Sequence, residues 1–196
     1  MRKLVYVRIV HTSADMGSLG EELIQETISK IGRKKWEENK RLIEKFWEEL
    51  EKEIFQLNLD LEHTIIYQDG LPCGGEMGMK IVHNTAELGS KNYQIIEKMV
   101  AKGAKITATE NPELLIEERN LLLEILKDSS TKEKKEAKMK YIAKKELLLE
   151  QRDAYIASRI NKTLNNEQTG ILFIGAEHNV ISKLDDDIEV LDLVKH

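Results

Sequence analysis

Residues 170–180 read Gly170-Ile-Leu-Phe-Ile-Gly-Ala-Glu-His-Asn-Val180. Ile171 to Ile174 run without polar alternation, the pattern of a short strand buried on both faces of a parallel sheet. At Gly175 the run stops where the backbone can turn without a Cβ, and Glu177 and His178 leave the strand's carboxyl end. Ligands of open α/β sheets bind just outside those ends, so this Gly-x-x-His is a candidate site. The same residues also suit an ordinary turn whose histidine caps the next short helix. The other strands separate the two readings.

Upstream, Leu4 to Val10 is β-branched and mostly apolar, and it ends at His11. Thr12, Ser13, Asp15 and Ser18 follow as turn and cap residues, then a helix from Leu19 to Ile31 that stops at Gly32. Lys34 to Gln56 is an amphipathic helix with Trp36, Ile43, Phe46, Trp47, Leu50 and Ile54 on one stripe. A second strand, His63 to Tyr67, runs into Gln68-Asp69-Gly70-Leu-Pro-Cys-Gly-Gly75, a tight loop with Asp69 at its head. Helix from Glu76 to Lys102 breaks near Gly89-Ser90, and Gly103 ends it. The third strand, Lys105 to Thr109, ends at Glu110, with Asn111 capping and Pro112 opening the helix to Leu126. After a polar break at Lys127 to Thr131, a long helix runs to Leu164. Ile142, Leu149, Ile156, Ile160 and Leu164 should face inward, and Arg152 and Asp153 lie in its second half. A helical turn from Val180 to Leu184 and a last, edge-type strand from Asp187 to Val194 complete the chain.

Strands alternating with helices call for a mostly parallel sheet of about five strands flanked by helices. The expectation is one α/β domain over residues 1–196, with helical arms or covers within 34–57 and 131–165. The strand-end rule then collects His11 (with Asp15), Asp69, Glu110 and His178 (with Glu177) on one rim. Two imidazoles and two carboxylates suit Zn, Mn or Fe, with His11, Glu110 and His178 as ligands. Without metal the same set is a histidine base beside an acid. Helix N-termini at that rim favour anions, which argues against the metal.

Composition narrows the classes. The 196 residues are 33% charged and 41% apolar with a net charge of -5, which exerts no general pull toward nucleic acid or an anionic membrane. No run approaches the roughly 18 apolar residues of a membrane span. The N-terminus runs straight into a strand and shows no secretory signal, so a cytoplasmic protein is expected. Cys73 is the single cysteine, which excludes an intramolecular disulfide and a multi-thiolate zinc site. Nothing near it marks an activated thiol. Seven lysines between Lys132 and Lys145 alternate with Glu133 and Glu136, the pattern of a solvated helix face. No P-loop, G-x-G-x-x-G, G-x-S-x-G or H-E-x-x-H is present.

Gln151-Arg-Asp-Ala-Tyr-Ile-Ala-Ser-Arg-Ile160 followed by Gly170-Ile-Leu-Phe-Ile-Gly-Ala-Glu-His178 resembles the C-terminal signature of the TraB/PrgY–TIKI–ChaN–erythromycin-esterase clan. There an arginine-bearing helix precedes a strand ending in Gly-x-x-His. The clan's first motif is also Gly-x-x-His; here Arg8-Ile-Val-His11 keeps the histidine and not the glycine. Thr109-Glu110 resembles its strand-ending acidic position. His11-Thr-Ser-Ala-Asp-Met-Gly-Ser18 resembles an archaeal and bacterial family with an Ile-Ile-His-Thr-x-Ala-Asp-Met-Gly-Ser start, over the whole chain and with no reaction attached. The clan resemblance implies an α/β fold and a polar rim. Its TIKI-like members are described as metal-dependent proteases, its esterases as metal-independent hydrolases with a histidine base, and its ChaN-like members as haem binders.

The expected function is a hydrolase, with or without a divalent metal, acting on a small molecule or peptide. His11 and His178 would be ligands or base, Asp69 and Glu110 ligand or general base, and Arg152 the anchor of a substrate anion or oxyanion. The alternative is a non-catalytic small-molecule-binding or sensing module with a helical interaction surface. A plain interaction protein is the third reading, which would bury an exposed Trp36/Trp47 stripe in a homo-oligomer.

Overall fold

The computed structural model describes residues 1–15, 20–127 and 130–193. Ser18 and Leu19, the middle of the 127–131 break and Val194 lie outside them. The described elements are β1 (Arg2–Ile9), α1 (Gly20–Ile31), α2 (Arg33–Gln56), β2 (Thr64–Gln68), α3 (Gly75–Glu87), α4 (Lys91–Val100), β3 (Lys105–Ile106), α5 (Pro112–Leu126), α6 (Thr131–Thr163), β4 (Thr169–Gly175) and β5 (Ile188–Leu193), with short 3-10 turns at Leu61–His63 and Ile181–Lys183. The five strands form one sheet in the order β3-β2-β4-β1-β5, every pairing parallel. The protein is therefore α/β, with the 170–175 stretch at the sheet's centre and β5 at an edge.

Successive side chains of a strand point to opposite faces, and the core divides accordingly. Val5, Val7, Ile9, Ile66, Ile171 and Phe173 pack with residues of α2, α3 and α4. Leu4, Tyr6, Tyr67, Leu172 and Ile174 pack on the other side against Ile156, Ile160 and Leu164. That two-sided burial is why Ile171 to Ile174 carry no polar residue. In α2, Trp47, Leu50 and Ile54 are buried within this one chain, so the far half of the tryptophan stripe belongs to the core and Trp36 is only half-buried.

Two expectations change. The third ladder stops at Ile106, short of Thr109, because the chain turns toward the β2 loop. Thr109 and Glu110 both donate their backbone N–H to Leu71 O, at 3.0 and 3.1 Å, and the Thr109 hydroxyl accepts from Gln68 N at 3.0 Å. In α6, Ile142 is 68% exposed and Leu148 is buried instead. The reason is that the first half of α6 meets no sheet. It runs antiparallel to α5, tied by Lys140–Glu124 and Lys144–Glu117 ion pairs, and only the half beyond Leu148 lies on the strands. Asn111 caps α5 by accepting from Glu113 N, and a Ser130/Glu133 capping box opens α6.

Candidate functional site

Three neighbouring strands, β2, β4 and β1, deliver the site from their carboxyl ends. Asp69 follows β2 and extends the ladder by donating its N–H to Phe173 O at 2.9 Å. Gly175 closes β4, paired with Ile9, and His11 comes two residues beyond Ile9. The Asp69 carboxylate is the hub. Its Oδ2 lies 3.1 Å from His11 Nε2 and accepts from Gly175 N at 3.0 Å. His178 Nε2 stands 3.5 Å from the same oxygen. Oδ1 accepts from Arg152 Nη2 at 2.6 Å.

Gly175 matters here for closeness rather than for a special backbone angle. A Cβ there would sit 3.1 Å from His11 Nε2 and 3.2 Å from Asp69 Oδ2, so any other residue would crowd the pair apart. Burial works to raise the Asp69 pKa, but the His11 hydrogen bond and the charge of Arg152 outweigh it and hold the carboxyl well below its ordinary range. Asp69 is thus the ionised acceptor, and His11 Nε2 carries the proton between them. Partial burial lowers the basicity of His11, while the hydrogen bond and charge of Asp69 raise it by more, so the net shift is upward. The ring is 37% exposed.

Arg152, on α6, donates from all three of its nitrogens to carboxylates. Nε and Nη2 reach Glu110, Nη2 reaches Asp69, and Nη1 reaches Glu118 at 2.6 Å. Its charge is spent inside the protein, where an anchor for a substrate anion was expected. Glu110 is fully buried, and among the described residues its Oε2 has no partner. Burial pushes this carboxyl up to about 7; Arg152 opposes that, and the adjacent Asp69 charge adds to it. Asp69, Glu110 and His178 each place a ligand-capable atom within 4.8 Å of the others. His11, expected among the ligands, lies outside this group and touches it at Asp69.

On the far side of His178, Asp153 Oδ1 lies 2.5 Å from Nδ1, and Asp153 Oδ2 accepts from Asn179 N at 2.8 Å. Asp15 turns inward to Thr12 and Ser90. Glu177 points out to Lys145 at 2.6 Å. His11, Asp15, Asp69, Arg152, Glu177 and His178 border a cleft of about 490 Å³, to which α5 and α6 contribute Leu115, Glu118, Leu122 and Tyr141 and α4 contributes Tyr93. Glu118 and Tyr141 carry no motif, and Asp153 stands in the Gln151–Ile160 stretch with no role read for it there. The Arg152-Asp153 pair on a core-facing helix was the one signal that could have pointed to Asp153. A groove of about 560 Å³ between α1 and the α5–α6 pair is lined by Glu21, Glu26, Lys134 and Lys138, with no histidine among the described residues of its walls.

The fold and site define a parallel α/β protein with a two-histidine, acid-rich cleft at a strand-end rim. Compared with protein-family models, with curated proteins and with solved structures, the chain shows no match. Among the described residues no helix is long and apolar enough to cross a membrane.

Proposed function

We propose that the chain is a cytoplasmic hydrolase of small-molecule or peptide esters or amides, as the resemblance to the erythromycin-esterase side of the clan suggests. The observation that carries this reading is the approach of His11 and His178 to one oxygen of Asp69 beside an open cleft. His178 Nε2, at 3.5 Å, is too far from Asp69 for a good hydrogen bond, which leaves it available to a water in the cleft. In this mechanism His178 takes a proton from that water as the oxygen attacks the substrate carbonyl carbon. His11, its imidazolium favoured by Asp69, returns a proton to the leaving oxygen or nitrogen as the C–O or C–N bond breaks. Arg152 keeps Asp69 and Glu110 together in one buried cluster.

A divalent cation on Asp69, Glu110 and His178 is the second reading, favoured by the unpartnered Glu110 Oε2. The donor set fits poorly, because Asp69 already accepts from His11, Gly175 and Arg152, and Arg152 already spans both carboxylates. A bound ion would act as a Lewis acid there.

A panel of chromogenic esters and amides, assayed with and without chelator, tests both readings. The expected result is chelator-resistant hydrolysis that falls about 10²–10⁴-fold in His178→Gln. Near-stoichiometric metal with chelator-sensitive activity would favour the second reading. No turnover across the panel would overturn the hydrolase and leave the non-catalytic binding module.

A further inference from the structure

His178 stands between two carboxylates, and only one of its nitrogens can face the cleft as a base. Asp153 approaches Nδ1 at 2.5 Å and Asp69 approaches Nε2 at 3.5 Å. A neutral imidazole carries one N–H. If the proton sits on Nδ1, the cleft meets a lone pair; if it sits on Nε2, the cleft meets a donor and the base is gone. We infer that Asp153 is the positioning residue that decides this, holding the proton on Nδ1 against the competing pull of Asp69 and so making His178 a base at all. The inference rests on the hydrolase reading for its catalytic meaning, but its geometry stands alone.

Three observations support Asp153 over Asp69. The Asp153 contact, at 2.5 Å, is within hydrogen-bond range, whereas the Asp69 contact, at 3.5 Å, is not a good hydrogen bond. Asp69 already accepts from His11, Gly175 and Arg152 and has little left to offer a fourth donor. Asp153 is only 2% exposed and is locked by its second oxygen to Asn179 N, so it cannot swing away. Its placement follows from helix geometry. Consecutive residues on a helix point about 100° apart, so α6 sends the Arg152 cation toward Asp69 and Glu110 and the Asp153 anion toward the loop after β4. Of five histidines in the chain, His178 alone among the described residues is held this way at Nδ1 by a buried carboxylate.

The test is the tautomer. In ¹⁵N-histidine-labelled protein, at a pH where the rings are neutral, wild-type His178 should show a protonated Nδ1 and a bare Nε2. His178→Gln identifies its signals. Asp153→Asn keeps the shape and reverses the polarity. The amide oxygen takes the Asn179 N–H, the amide NH₂ faces Nδ1, and the proton moves to Nε2. Its kcat should fall at least about 100-fold with KM little changed. A wild-type ring protonated on Nε2, or a tautomer unmoved by Asp153→Asn, would overturn the inference. If the variant fails to fold, the wild-type spectrum decides by itself. An Nδ1–H ring in a protein that cleaves no ester or amide would sink the hydrolase and leave Asp153's hold on His178 standing.

Discussion

At single residues, Gly175 sets how closely His11 and Asp69 pack, and Glu110 sets how the stability of the cluster depends on pH. Gly175→Ala would put a methyl group 3.1 Å from His11 Nε2 and 3.2 Å from Asp69 Oδ2. The expected outcome is a stability loss of about 1–3 kcal/mol in denaturant unfolding and weaker coupling of His11 to Asp69. Glu110 makes the stability fall as pH rises. Its folded pKa is about 7, raised from 4.5 by burial, so its stabilising contribution is complete below about 4.5 and is lost as pH rises through about 7. Glu110→Gln, which keeps an acceptor for Arg152, should flatten the fall in stability over that window in unfolding curves collected by pH. Asp69 acts in the opposite sense. Its lowered pKa gives stability that is present above about 4 and is lost only in acid, so Asp69→Asn should remove part of the acid-side transition.

At the scale of elements, α6 shows how one helix serves two environments. Its first half is a two-helix wall with α5 and its second half is core, which reverses the inward reading of Ile142 and brings Leu148 inside. Ile142→Glu is expected to stay within about 0.5 kcal/mol of wild type, whereas Leu148→Ala should cost about 2–5 kcal/mol. Thermal or denaturant unfolding of the two variants checks the division. Equal costs would mean that the first half of the helix packs against something too. The β3 end teaches a related point. Lys105 to Thr109 has strand composition throughout, yet a threonine hydroxyl and the Leu71 carbonyl replace the ladder after Ile106. Composition alone cannot reveal where a chain leaves a sheet for a neighbouring loop.

Across the whole molecule, what was legible in the residues is the arrangement that any parallel sheet must adopt. Ile171 to Ile174 had to be buried on both faces. Alternation of strand and helix required parallel pairing, and strand ends had to line one rim, which places His11, Asp69 and His178 together. The pairings within the rim were not legible, because they depend on which side chain is buried beside which. Nothing in the spacing of Arg152 says that three carboxylates will surround it, or that Asp69 will be the meeting point of both histidines. Asp69 is the meeting point, and histidine-detected NMR titration of wild type and Asp69→Asn reads its hold on His11. In wild type, His11 should titrate above its ordinary range, because the Asp69 carboxylate favours its imidazolium. In Asp69→Asn the His11 midpoint should drop. A His11 midpoint untouched by Asp69→Asn would mean that Asp69 does not hold His11.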